Sequence, residues 1–305
     1  MDILVIAEKK TKAAPYVDAL IEKGAHAEYL RVSKITLVSR QNETLIKALG
    51  KELHSYDAIF IQVRPSLAPF IEPLLEEIKN LGTYCTAKKG SYYIAHNEPY
   101  QLVTLACAQV PTPKTLTSGS AKHIEKVSKK VSYPLLAKSF IGKKAQQAII
   151  VNSSRELNFF IKSIKTEIDG FMLREFIRAD AISCIVIGRK IFAVKRKHYD
   201  GNVNELIQGT IYKPTETEEK NATCAAHACG LDIARVDLVK GKVVKVEPLI
   251  PLEEFNQICS EEIQASVASF LLDKAAQHEG KKKTTYDFFG IKKLLSKTIF
   301  GRFFK

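Results

Sequence analysis

The sequence predicts an α/β unit at the N-terminus followed by a longer α+β region, and three observations carry that prediction. Short apolar runs alternate with helix-period segments up to Lys89, β-rich runs and helices follow in a less regular order after it, and no period of ~20–50 residues repeats. At 305 residues the chain is long enough for two or three packed layers.

DILVIA (2–7) reads as a buried strand, and TKAAPYVDALIEKG follows as a helix stopped at Gly24. AEYLRVS and ITLVS read as strands, and NETLIKALGKELHS (42–55) as a helix. DAIFIQV (57–63) is a second buried strand, and LAPFIEPLLEEIKNLG a helix closed by Gly82. This alternation implies a mostly parallel sheet with helices on both faces. Beyond it, NEPYQLVTLACAQ is helical, VPTPKTLT a proline-marked strand entry, and AKHIEKVSKKV a basic surface helix. YPLLAK and QAIIV form a hairpin around a basic loop, and Ser153 or Ser154 caps SRELNFFIKSIK. FMLREFI, AISCIVIG and KIFAVKRKHY are strands, with Gly188-Arg189 turning between the last two. Residues 215–228 form a helix with Glu216, Glu218 and Glu219 in its first turn, where the helix dipole favours carboxylates. LDIARVDLVKGKVVKVEPL gives two strands about Lys240-Gly241-Lys242, and SEEIQASVASFLLDKAAQ a last helix.

Hydrophobic residues make up 46%, and no apolar run approaches the ~20 residues that cross a bilayer. Met1 to Ile6 enters a strand pattern without the features of a signal peptide, so a cytoplasmic protein is expected. Six scattered cysteines lack CxxC spacing, which argues against a zinc knot or a disulfide framework and for reduced, mostly buried thiols. The net charge is +13, and Gly280 to Lys305 carries eight cations against Asp287 alone. The body remains basic enough to favour an anionic partner. Nucleic acid ranks last among such partners, because no basic motif is interleaved with aromatics.

Several charged residues sit on or at the ends of strand-like runs. Lys138 closes YPLLAK, where an ammonium either meets a phosphate or snorkels to solvent. Glu175 interrupts an apolar strand. Arg196 ends KIFAVKR on the face of Val194, as an oxyanion-binding guanidinium or a surface charge. Asp237 lies inside ARVDLV and needs a partner, either a metal or an arginine. Glu247 is its natural companion, and two carboxylates on neighbouring antiparallel strands can share Mg²⁺ with nucleotide phosphates. His96, His198 and His227 lack ligand spacing and read as ordinary histidines.

In the order and spacing of YPLLAK, LREFI, AISCIVIGRKIFAVKR and GLDIARVDLV, the chain resembles RimK-like ATP-grasp ligases over roughly residues 57–272. That resemblance implies an N-terminal pre-ATP-grasp, Rossmann-like domain (1–89), an ATP-grasp domain of two α+β subdomains (90–275) and a basic helical tail (276–305). It further implies an ATP-dependent carboxylate-amine ligase that joins an amino acid such as glutamate to an acidic peptide end or cofactor tail through an acyl phosphate. ATP and Mg²⁺ are the implied cofactors. Lys138, Lys143, Lys144 and Arg196 would face the phosphates, with Arg196 the catalytic candidate. Glu175 and Ile177 would lie by the adenine and ribose, and Asp237 and Glu247 would hold metal.

The departures from the family's pattern fall at these same positions. Glu98 stands where similar proteins carry a phosphate-binding lysine, and the loop between the hairpin strands keeps only Gly142. The family's Asp-Ile-Arg is matched by Ala181-Ile182-Ser183. Its Glu-x-Asn metal pair falls on Lys245-Val246-Glu247, or is offset onto Glu247 and Leu249. A degenerate module without ligase activity, with a nucleotide-binding, regulatory or scaffold role, is the alternative these departures imply.

In the tail, Phe288, Ile291, Leu294, Leu295 and Ile299 line one face of a basic amphipathic helix. Three outcomes fit that pattern: contact with an anionic membrane surface, docking in a partner's groove, or packing across the protein's own body.

Overall fold

The computed structural model describes residues 1–40, 43–48, 53–139, 148–163, 168–196, 209–259 and 262–278. The chain divides into two compact units, Met1–Tyr92 joined by the chain from Glu262 onward, and Tyr93–Glu261.

In the first unit, β1 (Asp2–Ala7), α1 (Lys10–Glu22), β2 (His26–Arg31), β5 (Ala58–Gln62) and α2 (Ala68–Asn80) appear in the order expected of alternating elements, and the short β6 (Tyr84–Cys85), which was not expected, follows. Between β2 and β5 lie β3 (Thr36–Arg40) and β4 (Glu43–Lys47), and α3 (Ser91–His96) follows β6 and spans the boundary to the second unit. The sheet runs β2-β1-β5-β6 and is parallel throughout, with Ile3 opposite both Ala27 and Ala58. Residues 3–7 are wholly buried, which is why DILVIA is apolar without alternation. Gly24 (φ +81°) and Gly82 (φ +70°) end the two long helices in the left-handed conformation that glycine adopts without penalty.

The helix expected over 42–55 is replaced by a hairpin. β4 pairs antiparallel with β3, Leu37 opposite Ile46 and Val38 opposite Leu45, and a 3-10 turn stands at Leu53–Ser55; residues 42 and 49–52 of the expected helix lie outside the described residues. A helix of this length is marginal on its own, and a strand rich in apolar residues beside it offers a full ladder of backbone bonds instead.

The second unit opens with α4 (Glu98–Cys107), β7 (Thr115–Ser120), α5 (Ala121–Val127), β8 (Leu135–Ser139), β9 (Ala148–Val151), α6 (Ser154–Ser163) and β10 (Ile168–Glu175). It continues with β11 (Ala181–Ile187), β12 (Lys190–Arg196), β13 (Gly209–Ile211), α7 (Glu216–Ala228), β14 (Ile233–Val239), β15 (Lys242–Glu247) and α8 (Leu252–Ile258). A last helix, α9 (263–278), belongs to the first unit, where the His278 ring lies 2.6 Å from the Gly82 carbonyl.

Two antiparallel sheets build the second unit, ordered β7-β10-β8-β9 and β13-β12-β11-β14-β15. Strand alternation splits the first into two unlike faces. Leu135, Ala137, Val151, Phe171 and Leu173 pack on Ile124, Leu157 and Phe160 of α5 and α6. Leu136, Lys138, Met172 and Arg174 share the other face. There Leu136 packs with Ala181, Val239 and Val244 of the five-stranded sheet, so these faces of the two sheets are turned toward each other, with the cleft as the space between them. α7 packs on β14, β15 and β11 and starts with a capping box between Thr215 and Glu218. Ser153, rather than Ser154, caps α6, accepting from the Glu156 N–H at 3.2 Å.

Cys184, Cys229 and Cys259 are buried, Cys85 is half-buried, and Cys107 and Cys224 are exposed, so the thiols are less uniformly buried than expected. Among the described residues, no helix is long and apolar enough to cross a membrane.

Candidate functional site

Register decides which side chains meet in the cleft. Ser183 of β11 lies opposite Asp237 of β14 and Val194 of β12, and Arg196 is two residues beyond Val194. Asp237 in turn lies opposite Lys245 of β15, and Arg235 opposite Glu247. Cross-strand neighbours share a face, so Arg196, Ser183, Arg235, Asp237, Lys245 and Glu247 stand on one side of the five-stranded sheet.

Asp237 is fully buried and saturated by protein donors. The Ser183 hydroxyl donates to Oδ1 at 2.6 Å, and Arg235 donates to Oδ2 from Nε at 3.1 Å and from Nη2 at 3.0 Å. The same Nη2 lies 3.2 Å from Glu247 Oε2, and Lys245 Nζ lies 2.6 Å from Glu247 Oε1. Burial pushes the Asp237 carboxyl above its ordinary value, against the pull of Arg235 and Ser183. Burial also works against the charge on Arg235, but Asp237 and Glu247 outweigh it and hold the guanidinium protonated.

Lys138 and Arg174 project from the facing sheet onto Glu98, the first residue of α4. Lys138 Nζ donates to Glu98 Oε2 at 2.7 Å and Arg174 Nη2 to Oε1 at 2.6 Å. Arg174 Nη1 also donates to the Val244 carbonyl at 3.3 Å, tying the two sheets together. Burial opposes ionisation of Glu98, yet Arg174 and Lys138 hold its carboxyl below the usual range. Glu98 is held in place by its helix. Asn97 caps α4 through the Tyr100 N–H, and one turn on, Gln101 donates to the Val246 carbonyl at 2.8 Å and accepts from its N–H at 3.0 Å. That amide pair also satisfies an edge strand, since β15 ends its sheet.

Glu175 falls on the opposite face of β10 from Arg174 and pairs with Lys242 at 3.1 Å. That contact, together with the Lys114 N–H, lowers the Glu175 pKa. Ile177 packs beside Leu136, Phe176, Val239 and Val244. Around these residues lies a notch too tight to admit a water molecule, far short of a small-molecule site. Arg174 Nε points no hydrogen at any acceptor among the described residues. Lys143, Lys144, the Gly142 loop and the amphipathic tail lie outside the described residues.

Lys138 on one sheet and Asp237, Glu247 and, by register, the Arg196 position on the other thus stand on faces turned toward each other, while Glu175 falls on the opposite face of its strand. Sequence reading singled out these positions but missed Arg174, Arg235 and the pairing of Lys245. The signal for one of them was present: Arg235 and Asp237 are two apart on a strand and so share a face. The Mg²⁺ that the resemblance implies at Asp237 and Glu247 does not fit these residues. All four carboxylate oxygens already accept from protein cations or a hydroxyl, and no group of three metal-ligating side chains occurs among the described residues.

Comparison with known proteins matches a RimK-like ATP-grasp domain over residues 95–267. A probable alpha-L-glutamate ligase of Coxiella burnetii is 23% identical over 267 residues, covering 83% of this chain and 89% of that one. The RimK domain ATP-grasp protein of Sphaerobacter thermophilus superposes with a TM-score of 0.68 at 14% identity, over 89% of this chain and all of that one. A RiPP-associated ATP-grasp ligase of Chryseobacterium gregarium, solved with ADP and a leader and core peptide, gives 0.65 at 12% identity over 90% and 97%.

Proposed function

This chain belongs to the RimK-like ATP-grasp family of ligases, and from the ion pairs that occupy its site we propose that it is a degenerate member, a binding or scaffold module that does not carry out Mg·ATP-driven ligation. One observation carries the reading: the charges of the cleft are spent on each other. Phosphoryl transfer rests on cations positioned to neutralise phosphate charge. Here Lys138 and Arg174 are committed to Glu98, and the carboxylates that would hold metal are committed to Arg235 and Lys245. Recruiting Lys138 to a phosphate would leave a largely buried carboxylate beside a polyanion, at a cost of several kcal/mol.

The test is an ADP-release assay with Mg·ATP and a panel of amino acids including glutamate, run beside calorimetry. No amino-acid-dependent ADP release is expected. Release above the blank would overturn the reading.

A second reading is favoured by the buried Nε of Arg174, which has no hydrogen-bond partner among the described residues, and by the named glutamate ligases that align over most of the chain. In it the protein is a carboxylate-amine ligase. The carboxylate oxygen takes the γ-phosphoryl group of ATP and ADP leaves; the amine of an amino acid such as glutamate then attacks the acyl carbon and phosphate departs. Lys138, Arg196, Lys143 and Lys144 would face the phosphates, Lys138 after release from Glu98, and Glu175 and Ile177 would flank the adenosine. Both readings suit the cytoplasm, where reduced thiols persist.

A further inference from the structure

Asp237 and Glu247 form a pair of carboxylates on neighbouring strands, the arrangement that ordinarily calls for a cation between them. The cation is already supplied by the chain. One nitrogen, Arg235 Nη2, reaches both acids at 3.0 and 3.2 Å, and Lys245 closes the outer oxygen of Glu247 at 2.6 Å. Lys245 lies directly opposite Asp237 in the β14–β15 register, so both cations come from the same two strands as the acids. Two positive charges therefore face two negative ones.

We propose that Arg235 and Lys245 are a built-in replacement for a divalent metal, so that this cleft folds and functions as a metal-independent site. The proposal deepens the degenerate reading of the same cleft and rests on it. Mg²⁺ demands near-octahedral oxygens at about 2.0–2.1 Å and gives up its water reluctantly. It has no reason to enter a cluster whose oxygens are each held by a charged or hydroxyl donor. A planar guanidinium satisfies two carboxylates with directional bonds that an ammonium alone does not supply.

The experiment uses the full chain. Mn²⁺ serves as a spin probe and as a thermal-shift ligand, against EDTA. The wild type is expected to bind no Mn²⁺ through Asp237 and to melt at the same temperature in both buffers. Arg235→Met/Lys245→Glu removes the built-in cations and adds an acid. It is expected to melt lower in EDTA and to gain on the order of 5 °C with Mn²⁺ at a hundredfold excess over Kd. Should that variant fail to fold, Lys245→Glu alone is expected to show a smaller gain of the same sign. Stoichiometric Mn²⁺ binding by the wild type that Asp237→Asn abolishes would overturn the proposal, as would folded variants indifferent to metal. Amino-acid-dependent ADP release in EDTA would sink the degenerate reading while leaving metal independence standing, whereas Mn²⁺ held at Asp237 without ADP release would do the reverse.

Discussion

At Glu98 a carboxylate lies between two cations; at Arg235 a guanidinium lies between two carboxylates, with Lys245 on the outer oxygen of one of them. The two clusters face the same cleft from different elements, and they differ in how deeply they are set. The Glu98 side chain keeps 23% of its exposure, and Asp237 keeps none. Position in the fold explains the difference. Glu98 is the first residue of a helix that meets the sheets from outside, whereas Asp237 stands mid-strand in β14, between β11 and β15. Both clusters are neutralised from within, but Asp237 itself has no solvent to fall back on if a partner is lost, although Glu247 and Lys245 beside it are partly exposed. The comparison teaches that the same chemistry, charges satisfied without ligand, carries unequal energetic weight in its two places.

The sharpest way to break the comparison is Arg235→Met. It removes the guanidinium that bridges Asp237 and Glu247, and is expected to destabilise the protein by about 3–5 kcal/mol in chemical denaturation. Equal effects from the two clusters would refute their ranking.

Glu98→Gln comes next, at about 2–3 kcal/mol, because Lys138 retains partial access to water while Arg174 is buried. This variant also reports on pH. The folded Glu98 carboxyl titrates below its ordinary value of 4.5, so its contribution is complete above that value and disappears as pH falls through the folded pKa. Asp237 runs the other way, its raised pKa making ionisation costly as pH climbs past its ordinary 3.8. Stability measured across roughly pH 3–5 should therefore rise less steeply in Glu98→Gln than in the wild type. An unchanged slope would remove Glu98 as the source.

The smallest effect belongs to Lys242→Ala. Its pair with Glu175 is 37% and 40% exposed, and its loss should cost at most about 1 kcal/mol, halved or better by high salt.

Much of the fold was legible because its signals are local. Buried apolar runs marked β1 and β5, Gly188 and Gly241 marked the turns between paired strands, and Thr215 with Glu218 marked the start of α7. The helix expected over 42–55 failed where a local preference competed with a neighbouring strand for backbone bonds. α3, α8, β6 and β13 went unread, being too short for periodicity to register.

The site was legible as a set of positions and illegible as a set of partnerships. Lys138, Asp237 and Glu247 could be singled out as charges on or at the ends of apolar strands. That Lys138 answers to Glu98, 40 residues earlier, and that Arg174 answers to the same carboxylate across 76 residues, are facts of sheet packing. Gln101, whose amide clasps Val246 across 145 residues of sequence, is the extreme case.

By itself the sequence determined the strand and helix texture, the family likeness and the presence of an unusual acid at residue 98 and an unusual cation at residue 245. Only the tertiary structure decided that these departures are compensated, Glu98 by Lys138 and Arg174 of two strands and Lys245 by Glu247, which Arg235 of the neighbouring strand also holds. The physical reason is that secondary structure follows from the few residues on either side, whereas the energy of a buried charge depends on whatever stands within a few ångströms of it. That neighbour is chosen by register and packing across the whole unit.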